Sequence, residues 1–458
     1  MTLNREAFSA ALERQKGAVV HRMDVHSLQA RQRALEGVLF NGAVDARPLA
    51  LVECADEAGV RAALQVAAEY AVPVSVLAGG HDLSARAFNE GNLVLDLRRM
   101  CQVQVGSAAG EVTVGGGALT RHLLAALPDD LVTVTGTMLS VGVTGLTLGG
   151  GYGRLNSRFG LASDCMRSAR VVLADGSLVT ASEHEDADLF WALRGGGSGF
   201  GVVTAMTMAL QSLPLVLTAM ILCPLDRAKN ALLQSQELLD RNPVELSLFT
   251  GFMMAPTGEP MLFLAPLWSG DQTRGESLMQ TLEALPAARV VERRWSRYQQ
   301  TFDEESEKAW PKGRHYHLRT QTLRRLDEPA AEILLEGARG MTSPNSAIIL
   351  HDFHGAPARV APDATAFPLR DDHYVVEVIG AWNHDPADDG ARHKGWAEDL
   401  SASLATIALP GGYVNLLSPV EGKRVRLFYG SSRERLIGVK RRLDPDDLFR
   451  SGIGRVAS

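Results

Sequence analysis

Three glycine clusters carry the strongest chemical signal in this 458-residue chain. The first ends on a histidine: Leu77-Ala78-Gly79-Gly80-His81-Asp82. The second is TGTMLSVGVTGLTLGGGYG, residues 135–153, and the third is RGGGSGFGVV, residues 194–203. Glycine costs about 0.5–1 kcal/mol relative to alanine inside a regular element. Clusters of it belong where a backbone must turn sharply or approach another group closely. Successive exposed amides at such a turn can bind a phosphate or pyrophosphate. A neutral imidazole on the same loop adds a nucleophile. The loops contain no Gly-x-Gly-x-x-Gly in register and no GxxxxGK[ST], so neither a Rossmann site nor a P-loop is supported.

Further acid–base candidates lie on runs with strand character. In HYVVEVIGAW, His373, Val375 and Glu377 share a face, and Glu377 is an acid within an apolar strand, a place carboxylates occupy when paired or functional. In SAIILHDFHG, Asp352 and His354 share a face. In RHYHLRTQ, His315, His317 and Arg319 do. Either set could orient a polar substrate. In YVNLL, read as a strand, Tyr413 and Asn415 share a face. A tyrosine has an ordinary pKa of about 10, so acting as a base near neutrality requires a cationic neighbour or hydrogen bonds. No tight, repeated His/Asp/Glu set suggests a metal.

The elements that position these residues fall into three stretches. Up to about residue 210, short β-like runs alternate with helical ones. LALVEC (49–54) predicts a strand, DEAGVRAALQVAAEYA (56–71) an amphipathic helix, and VPVSVLAGGH (72–81) a strand running into the first glycine turn. This order suggests an α/β unit. From about 215 to 410, strands alternate with longer charged helices, which predicts an antiparallel sheet covered by helices. The last stretch carries YVNLL and a terminal helix in ERLIGVKRRLDPDDLFR. The expected domains are therefore 1–210, 211–410 and a returning segment, 411–458.

Composition excludes other classes. Hydrophobic residues make up 46% and charged residues 22% of the chain, which is ordinary for a globular protein. A net charge of −7 argues against a polyanion or nucleic-acid binder. Cys54, Cys101, Cys165 and Cys223 are widely spaced and read as buried thiols. The uncharged run from Gly195 to Leu225 is broken by glycines and Pro214. It reads as two buried strands joined at Leu213-Pro214 rather than a membrane span. The N-terminus shows no apolar h-region, so a cytoplasmic location is expected.

The segment PVSVLAGGHDLSARAF…LVLDLRRM resembles the flavin-attachment segment of berberine bridge enzyme-like oxidases, within the vanillyl-alcohol oxidase and p-cresol methylhydroxylase superfamily. The likeness continues through residues 135–166, through VVLADGSLVTASEHEDADLFWALRGGGSGFGVVT, and returns at TAFPLR (365–370), YVNLL and RLIGVKRRLDPDDLFR. Bacterial members such as 6-hydroxy-D-nicotine oxidase look similar in size. The resemblance implies an α+β fold: a two-part FAD-binding domain of the vanillyl-alcohol oxidase type plus a substrate domain with a helix-covered antiparallel sheet. It implies FAD held at Ala78, Gly79, Gly80, His81, Asp82, Thr137, Met138, Ser140, Gly142, Gly145, Gly150, Gly153, Val202 and Asn415.

By the same resemblance, His81 carries the flavin through its 8α-methyl. Relatives that add a cysteine link do so in Gly-x-Cys-x-x-Val-Gly. Here Met138 stands at the cysteine position and cannot form that bond, so attachment through His81 only is expected. The expected reaction takes hydride from an alcohol or amine carbon of a small organic substrate to flavin N5. O₂ is then reduced to H₂O₂, and the candidates for the chemistry are Tyr413, Glu377, Asp352 and His354. A flavin dehydrogenase with poor oxygen reactivity, or a non-catalytic flavin-binding protein, are the alternatives. No nucleic acid, membrane or metal partner is implied, and the oligomeric state is open.

Overall fold

The structure is a computed structural model that describes residues 4–15, 18–22, 35, 37–107, 110–385 and 387–450. The helix Glu57–Glu69 starts where Asp56 caps Gly59 N and buries Val60, Ala63, Leu64 and Ala67. It covers a four-stranded sheet in the order Ala18–Arg22, Ala50–Cys54, Leu93–Asp96, Val74–Leu77. The last three strands are parallel, as the strand-helix-strand order requires, and Val74–Leu77 points its C-terminal end into the His81 loop.

A second, five-stranded antiparallel sheet follows, ordered Val103–Val105, Glu111–Gly115, Val202–Ala209, Met166–Val172, Leu178–Ser182. The run from Gly195 to Leu225 enters it as Val202–Ala209, then leaves as Val216–Pro224 for another sheet. Among the described residues, no helix is long and apolar enough to cross a membrane.

All seven strands of the largest sheet lie between 216 and 382. Their order is Arg289–Ser296, Val216–Pro224, Pro260–Trp268, Leu246–Met254, Ala347–Phe353, His373–Trp382, His315–Leu323, and every pairing is antiparallel. One face packs on the helices Ala228–Arg241, Gln272–Glu283, Glu328–Arg339 and Ala391–Ala405 through residues such as Leu248, Leu350, Val376 and Val378. The other face, with Ile349, Ile379 and Tyr316, meets Phe40 from the N-terminal part. The period of two along these strands therefore separates a covered face from one turned toward the glycine loops.

The expectation of a strand at YVNLL is corrected. Residues 413–416 form a turn in which Leu416 N donates to Tyr413 O at 3.0 Å. The terminal helix, Ser432–Leu443, does form. Its Lys440 is buried and donates to Gly199 O and Phe449 O while pairing with Asp444. The Asp444 carboxylate in turn accepts from Leu448 N and Phe449 N. This clip ties the end of the chain to the third glycine loop. Lys440→Met removes one charge and strands the other, a change that costs about 3–5 kcal/mol. The expected outcome is a clearly lower thermal unfolding temperature, read by circular dichroism.

Candidate flavin-binding and catalytic site

The first two glycine loops touch back to back. A Cβ on Gly79 would lie 2.4 Å from Gly142 N, and one on Gly142 would lie 2.6 Å from Gly79 N. Gly80 sits at φ +68°, where a side chain is strained. The contact therefore needs glycine on both sides. Asp82 follows. Burial opposes its ionisation, but Arg86 and backbone N–H groups outweigh that and hold its carboxyl below the usual range. Arg86 pairs with Asp82 at 2.8 Å and donates to Val414 O and Asn415 O at 2.8 and 2.7 Å. The histidine loop is thereby bolted to the turn 413–416.

His81 is half-buried, and desolvation of its ring pushes its pKa down to about 4, against the opposing pull of Glu307. Its ring lies 4.1 Å from that of Phe40, and Nε2 is buried with no hydrogen-bond partner. A neutral, unsatisfied imidazole nitrogen beside a glycine cradle fits the attachment point of an aromatic cofactor. Ser140 Oγ, Thr144 Oγ1 and Ser163 Oγ are likewise buried without partners near the second loop, and Gly145 faces open space. Ser140 N donates to Glu307 Oε1 at 3.0 Å, so the helix Glu304–Ala309 of the large-sheet part caps this loop.

The rest of the second loop is anchored by protein contacts. Gly150 and Gly151 have positive φ, and a Cβ on Gly153 would meet Thr135 O at 2.0 Å. Asn415 Nδ2 donates to Leu146 O at 2.9 Å and to Tyr413 Oη at 2.8 Å, and Gly151 N donates to the same Oη at 3.1 Å. Burial pushes Tyr413 up to about 12, even though these donors pull it the other way. Its ring stacks on Tyr152 at 4.4 Å. Tyr152 Oη lies 2.6 Å from His373 Nε2, and His373 Nδ1 donates to Asp371 O at 2.7 Å, so Tyr152 is the donor. Val202 is fully buried and paired with Val172. The third loop packs on protein as well, with Gly195 against Phe367 and its carbonyl accepting from Tyr429 Oη.

Across from His81, on the uncovered face of the large sheet, His351 Nε2 lies 2.7 Å from Glu377 Oε1. Phe249 packs on the His351 ring at 5.0 Å. Of the other expected pair, Asp352 borders the same narrow cavity as His351 with Oδ2 free of hydrogen bonds, while its Oδ1 and His354 hold the start of the strand Leu246–Met254. Asp352 Oδ1 accepts from Ser247 Oγ and Leu248 N at 3.2 and 3.1 Å. His354 Nδ1 stands 3.3 Å from Asp352 Oδ2, and its Nε2 donates to Leu246 O at 3.0 Å. His317 and Arg319 pair with Glu398 on the helix Ala391–Ala405, away from the glycine loops. His315 packs on Trp382 and His384.

His351, Phe40, Tyr152, Glu307 and Arg154 escaped the reading of the sequence. For His351 the signal was available. It shares its strand face with Ile349 and Phe353, the face opposite to Asp352, and lies one position from it. Among the described residues, no group of three His, Cys, Asp or Glu could hold a metal ion.

Known proteins resemble the chain along most of its length. Residues 48–182 match the FAD binding domain family, and residues 412–453 match the berberine and berberine-like family. FAD-linked oxidoreductase OXR1 of Pyricularia oryzae is 32% identical over 417 residues, 86% of this chain and 81% of the relative. Xylooligosaccharide oxidase of Thermothelomyces thermophilus is 30% identical over 443 residues, 90% of this chain and 87% of the relative. The crystal structure of 6-hydroxy-D-nicotine oxidase from Arthrobacter nicotinovorans superposes with a TM-score of 0.83 at 25% identity, covering 95% of this chain and 97% of that one. With both ends of its cofactor cradle matched and relatives aligned along nearly its whole length, the chain belongs to the berberine bridge enzyme-like family of FAD-linked oxidoreductases.

Proposed function

We propose that this protein is an oxidase carrying FAD on His81 alone. It takes hydride from an alcohol or amine carbon of a small organic substrate, with O₂ as the final acceptor and H₂O₂ as product. The observation that supports this most is the His81 nitrogen, held neutral, buried and unpartnered at the glycine cradle, opposite the His351–Glu377 pair. FAD, when bound, supplies the two-electron acceptor.

The chain's own residues supply position and proton transfer. Gly79, Gly80 and Gly142 set the close approach of the two loops. Thr137, Met138 and Ser140 line the second loop, and Met138 offers a thioether where a second covalent link would need a thiol. Glu377 accepts the Nε2–H of His351, which fixes the tautomer and leaves Nδ1 to receive the substrate O–H or N–H proton as the hydride departs. The imidazolium so formed is stabilised by the carboxylate it already touches. Tyr413 and Asn415 hold the second loop in place. Since the Tyr413 hydroxyl already accepts two hydrogen bonds and sits at about 12, we assign it to the cradle rather than to proton abstraction. Asp352 and His354 clamp the start of the strand Leu246–Met254.

Three outcomes are expected. Protein precipitated with acid retains yellow pigment, and its denaturing-gel band fluoresces. His81→Ala loses both signals, and release of all pigment from the unaltered protein would refute attachment. Glu377→Gln keeps the flavin but lowers kcat by at least about 100-fold in a stopped-flow assay of flavin reduction. Attachment of FAD to apoprotein runs at a steady rate above about pH 5 and slows below pH 4. With His81 at about 4, the neutral nucleophile prevails at higher pH and is protonated away as pH falls. Reoxidation of the reduced protein in air separates an oxidase, which recovers its yellow colour within seconds, from a dehydrogenase.

A further inference from the structure

A nucleophile that must stay free to react cannot be fixed through the nitrogen it reacts with. His81 Nε2 is buried and has no hydrogen-bond partner. The ring packs instead on Phe40, with 4.1 Å between ring centres and 37° between planes. Phe40 stacks in turn on Tyr316 at 5.5 Å, and Tyr316 on Trp310 at 6.0 Å, so the imidazole ends a row of four rings. His373 provides the contrast. It stacks on Phe353 at the same 4.1 Å, but hydrogen bonds at both of its nitrogens already fix the ring. At His81 the orientation rests on the aromatic contact, which acts on the face of the ring.

The segment that carries Phe40 is closely placed. Residues 38–42 run between the His81 loop and the strand His315–Leu323. Asn41 is buried, and its amide fills all four of its hydrogen-bonding positions. Nδ2 donates to Leu83 O at 2.8 Å and to Tyr316 O at 2.9 Å, while Oδ1 accepts from Tyr316 N and Ala43 N, each at 3.0 Å. One side chain thus ties the residue two positions after His81 to a strand of the large sheet. Backbone bonds flank it, from Gly313 N to Phe40 O at 2.8 Å and from Gly42 N to Arg314 O at 2.9 Å. A Cβ on Gly42 would lie 2.1 Å from Gly313 O, and one on Gly80 would lie 2.6 Å from Val38 O. Phe40 is therefore held against His81 by contacts on both sides of its own segment.

We propose that Phe40, set in place by Asn41, is a positioning residue for flavin attachment: its ring holds the His81 imidazole in one orientation without engaging Nε2. This rests on the reading of His81 as the attachment point. Attachment forms one bond, from an imidazole nitrogen to the 8α-carbon of the flavin. The imidazole gives up its N–H proton and the carbon gives up one C–H proton. Two electrons stay on the flavin and pass, with two protons, to O₂, which becomes H₂O₂. An imidazole left to rotate reaches the reactive geometry less often, so loss of the stacked ring slows attachment without weakening the binding of FAD.

The test uses the full chain, produced without flavin and then mixed with FAD in air. Wild type is compared with Phe40→Leu, which fills much of the same space without a planar ring, and with Phe40→Tyr, which keeps the ring. The attachment rate is read from pigment that stays with acid-precipitated protein, FAD affinity from flavin fluorescence on mixing, and apoprotein stability from thermal unfolding. Phe40→Leu is expected to attach FAD at least about tenfold more slowly than wild type, with affinity and unfolding temperature close to those of wild type. Phe40→Tyr is expected to recover most of the rate. Equal rates in wild type and Phe40→Leu, or no recovery in Phe40→Tyr, would overturn the inference. So would a fall in FAD affinity or unfolding temperature large enough to account for slow attachment, because Phe40 would then only fill the core. Release of all pigment from the wild type is a different failure: it removes attachment at His81, and this inference with it.

Discussion

The contact between Gly79 and Gly142 is the constraint from which the site is built. Two backbones meet where neither tolerates a single extra carbon, so each loop fixes the other. One loop is the end of a parallel strand, Val74–Leu77. The other begins the path to the GGGYG turn. Arg86 extends the constraint to a third segment through two carbonyls of the turn 413–416, and Asn415 returns it to the second loop through Leu146 O. Segments more than 300 residues apart in sequence thereby reach one place through backbone groups, which hold position better than mobile side chains. A cofactor-binding loop needs that precision, since its reactive ring must be presented at a fixed angle.

Charge is distributed unevenly around this frame, and the unevenness follows burial. His81, half-buried, and His373, fully buried, are both pushed down to about 4 by desolvation, so both favour the neutral form near neutral pH. They differ in satisfaction. His373 has both ring nitrogens engaged, with Tyr152 and Asp371 O, and belongs to the core. His81 keeps Nε2 unpaired. Burial alone does not mark a functional histidine; a missing partner does. The same distinction separates Arg154, whose Nε is buried without a partner, from Arg86 and Arg370, which are paired with Asp82 and Asp164.

How much of this was legible in the sequence depends on the kind of interaction. Local signals carried well. Asp56 before an apolar 3.6-residue pattern yields the capped helix Glu57–Glu69, and the run of Val, Thr and Met around Pro214 yields two strands in two different sheets. Period-two alternation correctly grouped His373, Val375 and Glu377, and also His317 with Arg319. What alternation cannot say is which face is covered. His317 and Arg319 proved to face the helix Ala391–Ala405, and Asp352 proved to be engaged by the neighbouring strand, because sheet order decides that and sheet order is set by contacts distant in sequence. YVNLL was misread for the opposite reason. Its apolar composition suits a strand, but among the described residues it has no strand neighbour, and its polar groups are satisfied by Arg86 and the second glycine loop. Tyr413 and Asn415 still come together, through a turn rather than a shared strand face.

Met138 bears on how the frame must work. With a methionine at that position, the second loop can approach a flavin only by van der Waals contact and through its backbone, so its placement cannot be enforced by a covalent bond. The structure provides other means. Glu307 accepts from Ser140 N, two residues after Met138, and the Glu304–Ala309 helix that carries it belongs to the part of the chain that builds the large sheet. Arg154, farther along the same loop, reaches Ala265 O in that sheet. Both polar links run from the second loop to the substrate-facing part. A loop secured in this way is sensitive to how the two parts of the molecule sit together. His81 and the two links to the large sheet are thus carried by different segments, the first held through Asp82 and Arg86 and the second through Ser140 and Arg154.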